Sequence, residues 1–170
     1  KALSIGAGEA IRIDAHPQDA QFVASQIAAI AKDYVLIFTG RESIDYNGGA
    51  VCGLIGAELG WPSVNVATEI SVSAGVATIE HDIDGGRAEL EVALPLVVSA
   101  QKDLCEPRIP NMKSIMSART KPLNVQAPID LTSTSEYISY KLPAAKQGVR
   151  LIDADNAEEL ITILKEAKIL

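Results

Sequence analysis

The sequence predicts an α/β domain of the doubly wound kind with an antiparallel meander joined to it. Three observations carry that reading. Helical spacing from Phe22 to Ile30 gives way to a continuous apolar run, a glycine-bearing loop and a second helical pattern, the strand–helix–strand–loop–helix rhythm of a parallel sheet. The stretch "SVNVATEISVSAGVATIEHDIDGGRAELEVALPLVVSA" then alternates β-branched segments with turn signals. Apolar residues make up 48% of the 170 residues and aromatics only 4%, so the core has to be built from Val, Ile, Leu and Ala.

Taken in order, "KALSI" reads as the tail of a helix closed by Gly6 or Gly8, and "AIRI" as a short strand. The chain opens without Met, and the expectation is a fragment whose earlier part is absent. Asp14 or His16 can cap a helix beginning at Pro17, because the missing proline N–H is not needed in a first turn. Phe22, Val23, Gln26, Ile27 and Ile30 recur at helical spacing up to about Lys32. Tyr34 to Thr39 is the run expected of a buried parallel strand. Gly49 to Leu59 reads as a small-residue helix closed by Gly60 and Pro62. Ala74-Gly75 and Asp84-Gly85-Gly86 mark the meander's turns, and Leu94 to Ala100 can return to the main sheet. "EPRIPNMKSIMSART" is a Pro-punctuated loop running into a short helix. Residues 120 to 152 are rich in Pro, Ser and Thr and read as a long irregular arm. Asp153 or Asp155 can cap a last helix, Asn156 to Lys168, with Leu160, Ile161, Ile163 and Leu164 on its apolar face. The expected division is residues 1–128 as the domain and 129–170 as the arm with its C-terminal helix.

A net charge of −7 argues against nucleic acid or an anionic membrane as the main partner. No apolar stretch is long enough to span a bilayer. Cys52 and Cys105 form no CxxC, which fits a reduced, cytosolic type of compartment. His16 and His81 complete no ligand cluster, so no transition-metal site is expected. No catalytic set is evident. Ser43 lacks a base, the two histidines read as surface residues and Cys52 as a small packed residue. Asp82 and Asp84 share one strand face, most simply that of a solvated hairpin.

The chemically informative stretch is the loop after the apolar run, "GRESIDYNGGAV". A loop leaving the C-terminal end of a parallel strand lies where α/β proteins bind ligands. The first turn of the following helix offers unpaired N–H groups and partial positive charge to an anion. Gly48 and Gly49 let the backbone come close to an anion, and Asp45 and Asn47 can orient a sugar hydroxyl or brace the loop. Composition alone leaves two readings open, a phosphate cradle and a tight turn without a ligand. GxGxxG and the Walker lysine are both absent, so neither a dinucleotide fingerprint nor a P-loop is supported.

Five stretches in order carry a resemblance: "KALSIGAGEAIRID", "VLIFTGRESIDYNGG", "EHDIDGG", "LPLVVSAQ" and "EPRIPNMKSIMSAR". With "AEELITILKEAKIL" at the end, the chain resembles the β subunit of electron transfer flavoprotein. The resemblance implies a Rossmann-like adenine-nucleotide-binding domain, mainly parallel in its sheet, with helices on both faces. It implies a structural AMP, replaced by a second FAD in bifurcating relatives, and an α subunit that holds most of the FAD site. It implies no catalysis by this subunit, but relay of electrons from acyl-CoA or related dehydrogenases to a quinone oxidoreductase, in a bacterial cytoplasm or a mitochondrial matrix. An earlier part of the family domain would supply the first strand and helix.

Position by position, the family's AMP loop falls on Gly40 through Val51. Its usual bacterial form resembles G-R-Q-A-I-D-G-D-T-G-Q-V. Gly40, Arg41, Ile44, Asp45, Gly49 and Val51 are kept, whereas Glu42, Ser43, Tyr46, Asn47, Gly48 and Ala50 replace the family's residues. "EPRIPNMKSIM" is similar to the family's recognition loop, which implies partner contacts from Ile109, Pro110, Met112 and Ile115. From the residues alone Met112 would pack inside; the resemblance places it outside, as the apolar anchor. Asp82 takes the place of a family Glu that contacts the mobile flavin domain. The alternative reading is a stand-alone adenine-nucleotide sensor of similar fold. A nucleotide-activating enzyme finds no nucleophile or metal constellation in its support.

Overall fold

The computed structural model describes residues 1–131, 133–146 and 148–170, which fall into two compact units, Lys1–Glu136 and Tyr137–Leu170. In the first unit a 3₁₀ turn, Ala2–Ile5, ends at Gly6 with φ 128°. Strand β1 (Ala10–Ile13), helix α1 (Ala20–Ala31), strand β2 (Leu36–Gly40) and helix α2 (Val51–Leu59) follow. The meander comprises β3 (Ser63–Ser73), β4 (Val76–Ile83) and β5 (Gly86–Ala93), with turns at Ala74-Gly75 and Asp84-Gly85 as expected. Strand β6 (Leu96–Ala100), helix α3 (Met112–Ala118) and strand β7 (Leu123–Gln126) complete the unit.

The fold is α/β with a mixed sheet. Five strands lie in the order β2-β6-β3-β4-β5. Strand β6 runs parallel to both β2 and β3, whereas β3-β4 and β4-β5 are antiparallel, so parallel pairing accounts for only half of this sheet. Strand β1 stands outside it, parallel to β7 in a two-stranded sheet with Ala10 opposite Leu123. That pairing corrects the expectation of an entirely irregular segment from residue 120. "LNVQ" alternates for only four exposed residues, too short a run between prolines to stand out.

Alternation along β6 divides the core. Val97 meets Ala24 of α1 and Cys52 and Ile55 of α2 on one face. Leu96 and Val98 join Val64, Ala67, Ala77 and Ile79 on the other. Among the described residues both packed helices stand on the Val97 side, not one on each face. Small residues let them pair: Ala24 and Ala28 are buried, and the Ser25 hydroxyl donates to Glu58 Oε1 at 2.8 Å across the helix pair. A Cβ on Gly56 would meet Trp61 O and Ser63 Cβ at 3.0 Å, so α2 approaches the start of β3 closely only because that position is Gly.

Two expected boundaries move. Strand β2 starts at Leu36, and Val35 and Phe38 are half-exposed or more. The apolar run suggested a strand buried on both sides, yet among the described residues β2 lies at the sheet edge and pairs only with β6. Helix α1 starts at Ala20 rather than Pro17, with neither Asp14 nor His16 as its cap. Asp19 is the cap: its Oδ1 accepts from Phe22 N at 2.7 Å.

Its other oxygen fastens a distant segment. Asp19 Oδ2 accepts from Ser133 Oγ at 2.7 Å, Ser135 Oγ at 3.0 Å, Thr134 Oγ1 at 3.1 Å, and the amides of Thr134 and Ser135 at 3.2 Å. The Phe22 amide first, then the Ser133 hydroxyl, hold this carboxyl well below the ordinary carboxylate range.

The second unit has a 3₁₀ turn, Ala154–Asn156, leading into α4 (Ala157–Glu166). Asp153 caps the turn by accepting from Asp155 N at 3.0 Å. None of the unit's described residues is buried, and Ile138, Leu142, Val149 and Leu151 are almost fully exposed.

Because the Asp19 pKa is lowered on folding, its stabilisation is present above the ordinary value of 3.8 and is lost as pH falls through the folded value. Hydrogen exchange at the Thr134 and Ser135 amides checks this. Asp19→Asn should raise their exchange several-fold at neutral pH, and the difference from wild type should shrink as the medium is acidified below pH 3.8.

Candidate functional site

Register sets the site's framework. Gly40, the last residue of β2, lies opposite Ala100, the last of β6, so the following loops leave the sheet side by side. On one side the chain crosses residues 41–50 to enter α2, and on the other Gln101 follows directly. A cavity of about 360 Å³ opens between the end of β2 and the start of α2. Ile27, Phe38, Thr39, Gly40, Arg41, Glu42, Ser43, Gly48, Gly49, Val51 and Cys52 line it.

The loop braces itself. Ser43 N donates to Gly48 O at 3.0 Å, and Gly48 N returns a bond to Ser43 Oγ at 3.3 Å. Tyr46 N donates to Asp45 Oδ1 at 2.9 Å, and Asn47 takes the left-handed conformation at φ 52°. The Ser43 hydroxyl and then the Tyr46 amide hold the Asp45 carboxyl below its ordinary range. Neither Gly48 nor Gly49 has a positive φ. Built Cβ atoms there would meet Ser43 Oγ and Arg41 O at 3.4 Å, an ordinary contact distance, so neither an unusual backbone nor crowding within the chain demands glycine at these positions.

At the head of α2, Ala50 is the N-cap and offers no side-chain bond, and the first turn holds no carboxylate. Its first N–H groups therefore keep their capacity for an external acceptor, and the helix end favours negative charge there. Arg41 is the sole cation among the lining residues. Phe38 and Ile27 give the cavity an apolar wall, so the arrangement suits an anion joined to a flat apolar group.

Of the loop residues expected to bind, Gly40, Arg41, Glu42, Ser43, Gly48, Gly49 and Val51 line the cavity. Ile44, Asp45, Tyr46, Asn47 and Ala50 do not. Ile44 is 99% exposed. Sequence reasoning overlooked Ile27, Phe38, Thr39 and Cys52. The signal for the last three was their place, among the last residues of the strand or in the first turn of the helix.

The expected partner residues lie elsewhere in the unit. Asp82 sits near the end of β4, with Oδ1 3.4 Å from Arg87 Nε. Ile109, Pro110 and Met112 are exposed ahead of and at the start of α3, at 89% for Ile109 and 73% for Met112. Ile115 and Met116 extend this apolar ridge along α3. Asn111 caps the helix by accepting from Ser114 N at 2.9 Å, while Ser114 Oγ accepts from Asn111 N at 3.0 Å. His16 is exposed and His81 is half-buried on β4. Among the described residues no group of three or more His, Cys, Asp or Glu is placed to hold a metal ion, and no helix is long and apolar enough to cross a membrane.

Residues 1–131 match the family described as electron transfer flavoprotein domain. The chain is 34% identical over 156 residues to the electron transfer flavoprotein subunit beta of Syntrophomonas wolfei, covering 89% of this chain and 62% of that protein. It is 32% identical over 177 residues to the human protein of the same name, covering 97% of this chain and 68% of that one. The Bacillus subtilis protein of that name is 30% identical over 186 residues, covering 99% of this chain and 72% of that protein. The chain thus spans less than two thirds of the length of the first of these relatives.

Cys52 is buried, and burial pushes its thiol above its ordinary value, whereas Cys105 is exposed. A brief treatment with iodoacetamide near neutral pH should therefore add one adduct, at Cys105, and a second at Cys52 only in denaturant. Peptide mass spectrometry reads both.

Proposed function

This chain belongs to the electron transfer flavoprotein β-subunit family, and we propose that it is the AMP-holding, electron-carrying β subunit of an αβ flavoprotein. The observation that carries the proposal is the cavity at the head of α2. Uncapped helical N–H groups, Arg41 and a partly apolar wall converge on a space within the size range of small-ligand sites. AMP fits these features: its phosphate toward the first turn of α2 and Arg41, its purine toward Phe38. Gly40 through Val51 then form the nucleotide loop of a Rossmann-like domain, in which Ile44, Asp45, Tyr46, Asn47 and Ala50 shape the loop without lining the cavity. Ala50, where the usual loop has Gln, leaves the phosphate to backbone donors and Arg41.

The flavin, held mainly by an α subunit, supplies the electron-storing chemistry when bound. The β chain's residues hold the nucleotide, support the interface and dock partners. Met112, exposed at the head of a capped helix, suits the apolar anchor for an acyl-CoA or related dehydrogenase. Asp82 is an ion-pairing group for the flavin-bearing part of the partner, with a quinone oxidoreductase as the onward acceptor. The second unit favours a heterodimer over a stand-alone nucleotide sensor. A segment with no buried described residue gains its stability by covering another chain. A bacterial cytoplasm or a mitochondrial matrix accords with this role.

Denaturing the purified assembled protein and identifying the released nucleotide tests the site. AMP is expected; FAD would place the chain with bifurcating relatives, and no nucleotide would contradict the reading. Gly49→Pro should lower the recovered AMP severely, since it removes a donor and a backbone freedom at the cavity wall. Met112→Ala should slow electron transfer from the dehydrogenase by about fivefold or more while leaving AMP content and αβ assembly unchanged.

A further inference from the structure

The nucleotide loop and the β4–β5 hairpin are joined by one chain of polar contacts. Glu42 Oε2 lies 3.9 Å from Arg41 Nε. Arg41 Nη1 donates to Gln101 Oε1 at 3.4 Å, and Gln101 Nε2 donates to Asp82 Oδ2 at 3.5 Å. Arg87 continues the chain, with Nε 3.4 Å from Asp82 Oδ1 and Nη1 2.6 Å from Glu80 Oε1.

Gln101 is held for this place. Its backbone N–H donates to Ala67 O at 2.9 Å, which fixes its Cα at the end of the sheet. Its Oε1 also accepts from Lys102 N at 3.1 Å. With a guanidinium on one side and a carboxylate on the other, only one orientation of the amide satisfies both: oxygen toward Arg41, NH₂ toward Asp82. Arg41 and Asp82 form no ion pair with each other among the described residues, so the amide is what connects them. An amide whose N–H is drawn by a carboxylate is a better acceptor at its oxygen, so Asp82 strengthens the hold of Gln101 on Arg41.

We infer that Gln101 is a positioning residue that couples anion occupancy of the loop cavity to the ion pairing of Asp82. The inference rests on the reading of the loop as an AMP site. Arg41 has two competing sets of acceptors: Glu42 and Gln101 on its own chain, and a phosphate in the cavity. A phosphate that recruits Arg41 releases the amide oxygen and loosens the amide's grip on Asp82. By reciprocity, ion pairing of Asp82 with a partner alters the affinity for the anion by the factor by which the anion alters that pairing. Contiguous contacts establish a route, and a thermodynamic cycle measures whether energy passes along it.

The test uses the assembled αβ protein stripped of nucleotide, with AMP as the probe and calorimetry as the readout. Asp82→Asn should tighten AMP binding by about two- to fivefold, the range of exposed charge contacts. In a Gln101→Leu background the same substitution should change it much less. A purely structural role for Gln101 would shift both arms alike and leave the effect of Asp82→Asn intact. Gln101→Glu offers Arg41 a stronger acceptor and should weaken AMP binding, which tests the inference even if the Leu variant fails to assemble. An equal effect of Asp82→Asn in both backgrounds, or Gln101→Glu binding AMP as tightly as wild type, would overturn the coupling while leaving the loop reading standing. Failure of the unsubstituted protein to bind AMP would overturn the loop reading, and the coupling with it.

Discussion

Leu96, Val97, Val98 and Ser99 of β6 are each 1% exposed or less, and the five-stranded sheet and the two helices packed on it are placed by them. The strand has a parallel neighbour on each edge and an apolar cluster on each face. Val97 is the floor on which α1 and α2 stand, while Leu96 and Val98 seat the residues of β3 and β4. Ser99, the polar member, is satisfied: its Oγ accepts from Val66 N at 2.8 Å where β3 breaks register. The bonded hydroxyl compensates for burying a polar group and holds the irregular backbone at Val66 in place.

The candidate site inherits its geometry from that strand. Gly40 opposite Ala100 brings the loop and Gln101 to one end of the sheet. Cys52 and Ile55, packed on the Val97 side, fix the start of α2 against the end of β2. A loop held at one end by the pairing of β2 with β6 and at the other by buried Cys52 can present backbone donors at a constant position even though residues 41–50 are themselves exposed. Pre-placed donors cost little ordering when an anion arrives. Backbone donors of this kind do not depend on the identity of the loop side chains around them.

Much of this was legible because hydrophobic period and turn chemistry act locally. The meander's turns announced themselves at Ala74-Gly75 and Asp84-Gly85, and the α2 end at Gly60. What was not legible depended on partners distant in sequence. Asp19 outcompetes Asp14 and His16 as the cap of α1 in a structure where residues 133–135 also need its second oxygen. Strand β7 exists only against β1, more than a hundred residues away. The run from Tyr34 looked doubly buried because a string of apolar residues does not say whether its strand lies at an edge. At the site, Gly48 and Gly49 stood out by type and Arg41 entered only through the family resemblance, while Phe38, Thr39 and Cys52 line the cavity through their place on the elements flanking the loop. The apolar ridge at Met112 could be read as buried or exposed until its helix and cap were in place.

In the proposed reading, backbone donors at the head of α2, held by the packing on β6, receive the phosphate of an adenine nucleotide. Hydrogen–deuterium exchange of the assembled, nucleotide-stripped protein with and without AMP tests this most directly. AMP-dependent protection is expected in peptides covering residues 40–53, with the buried amides of β6 already slow in both states. Protection absent from those residues, or confined to another part of the chain, would contradict it.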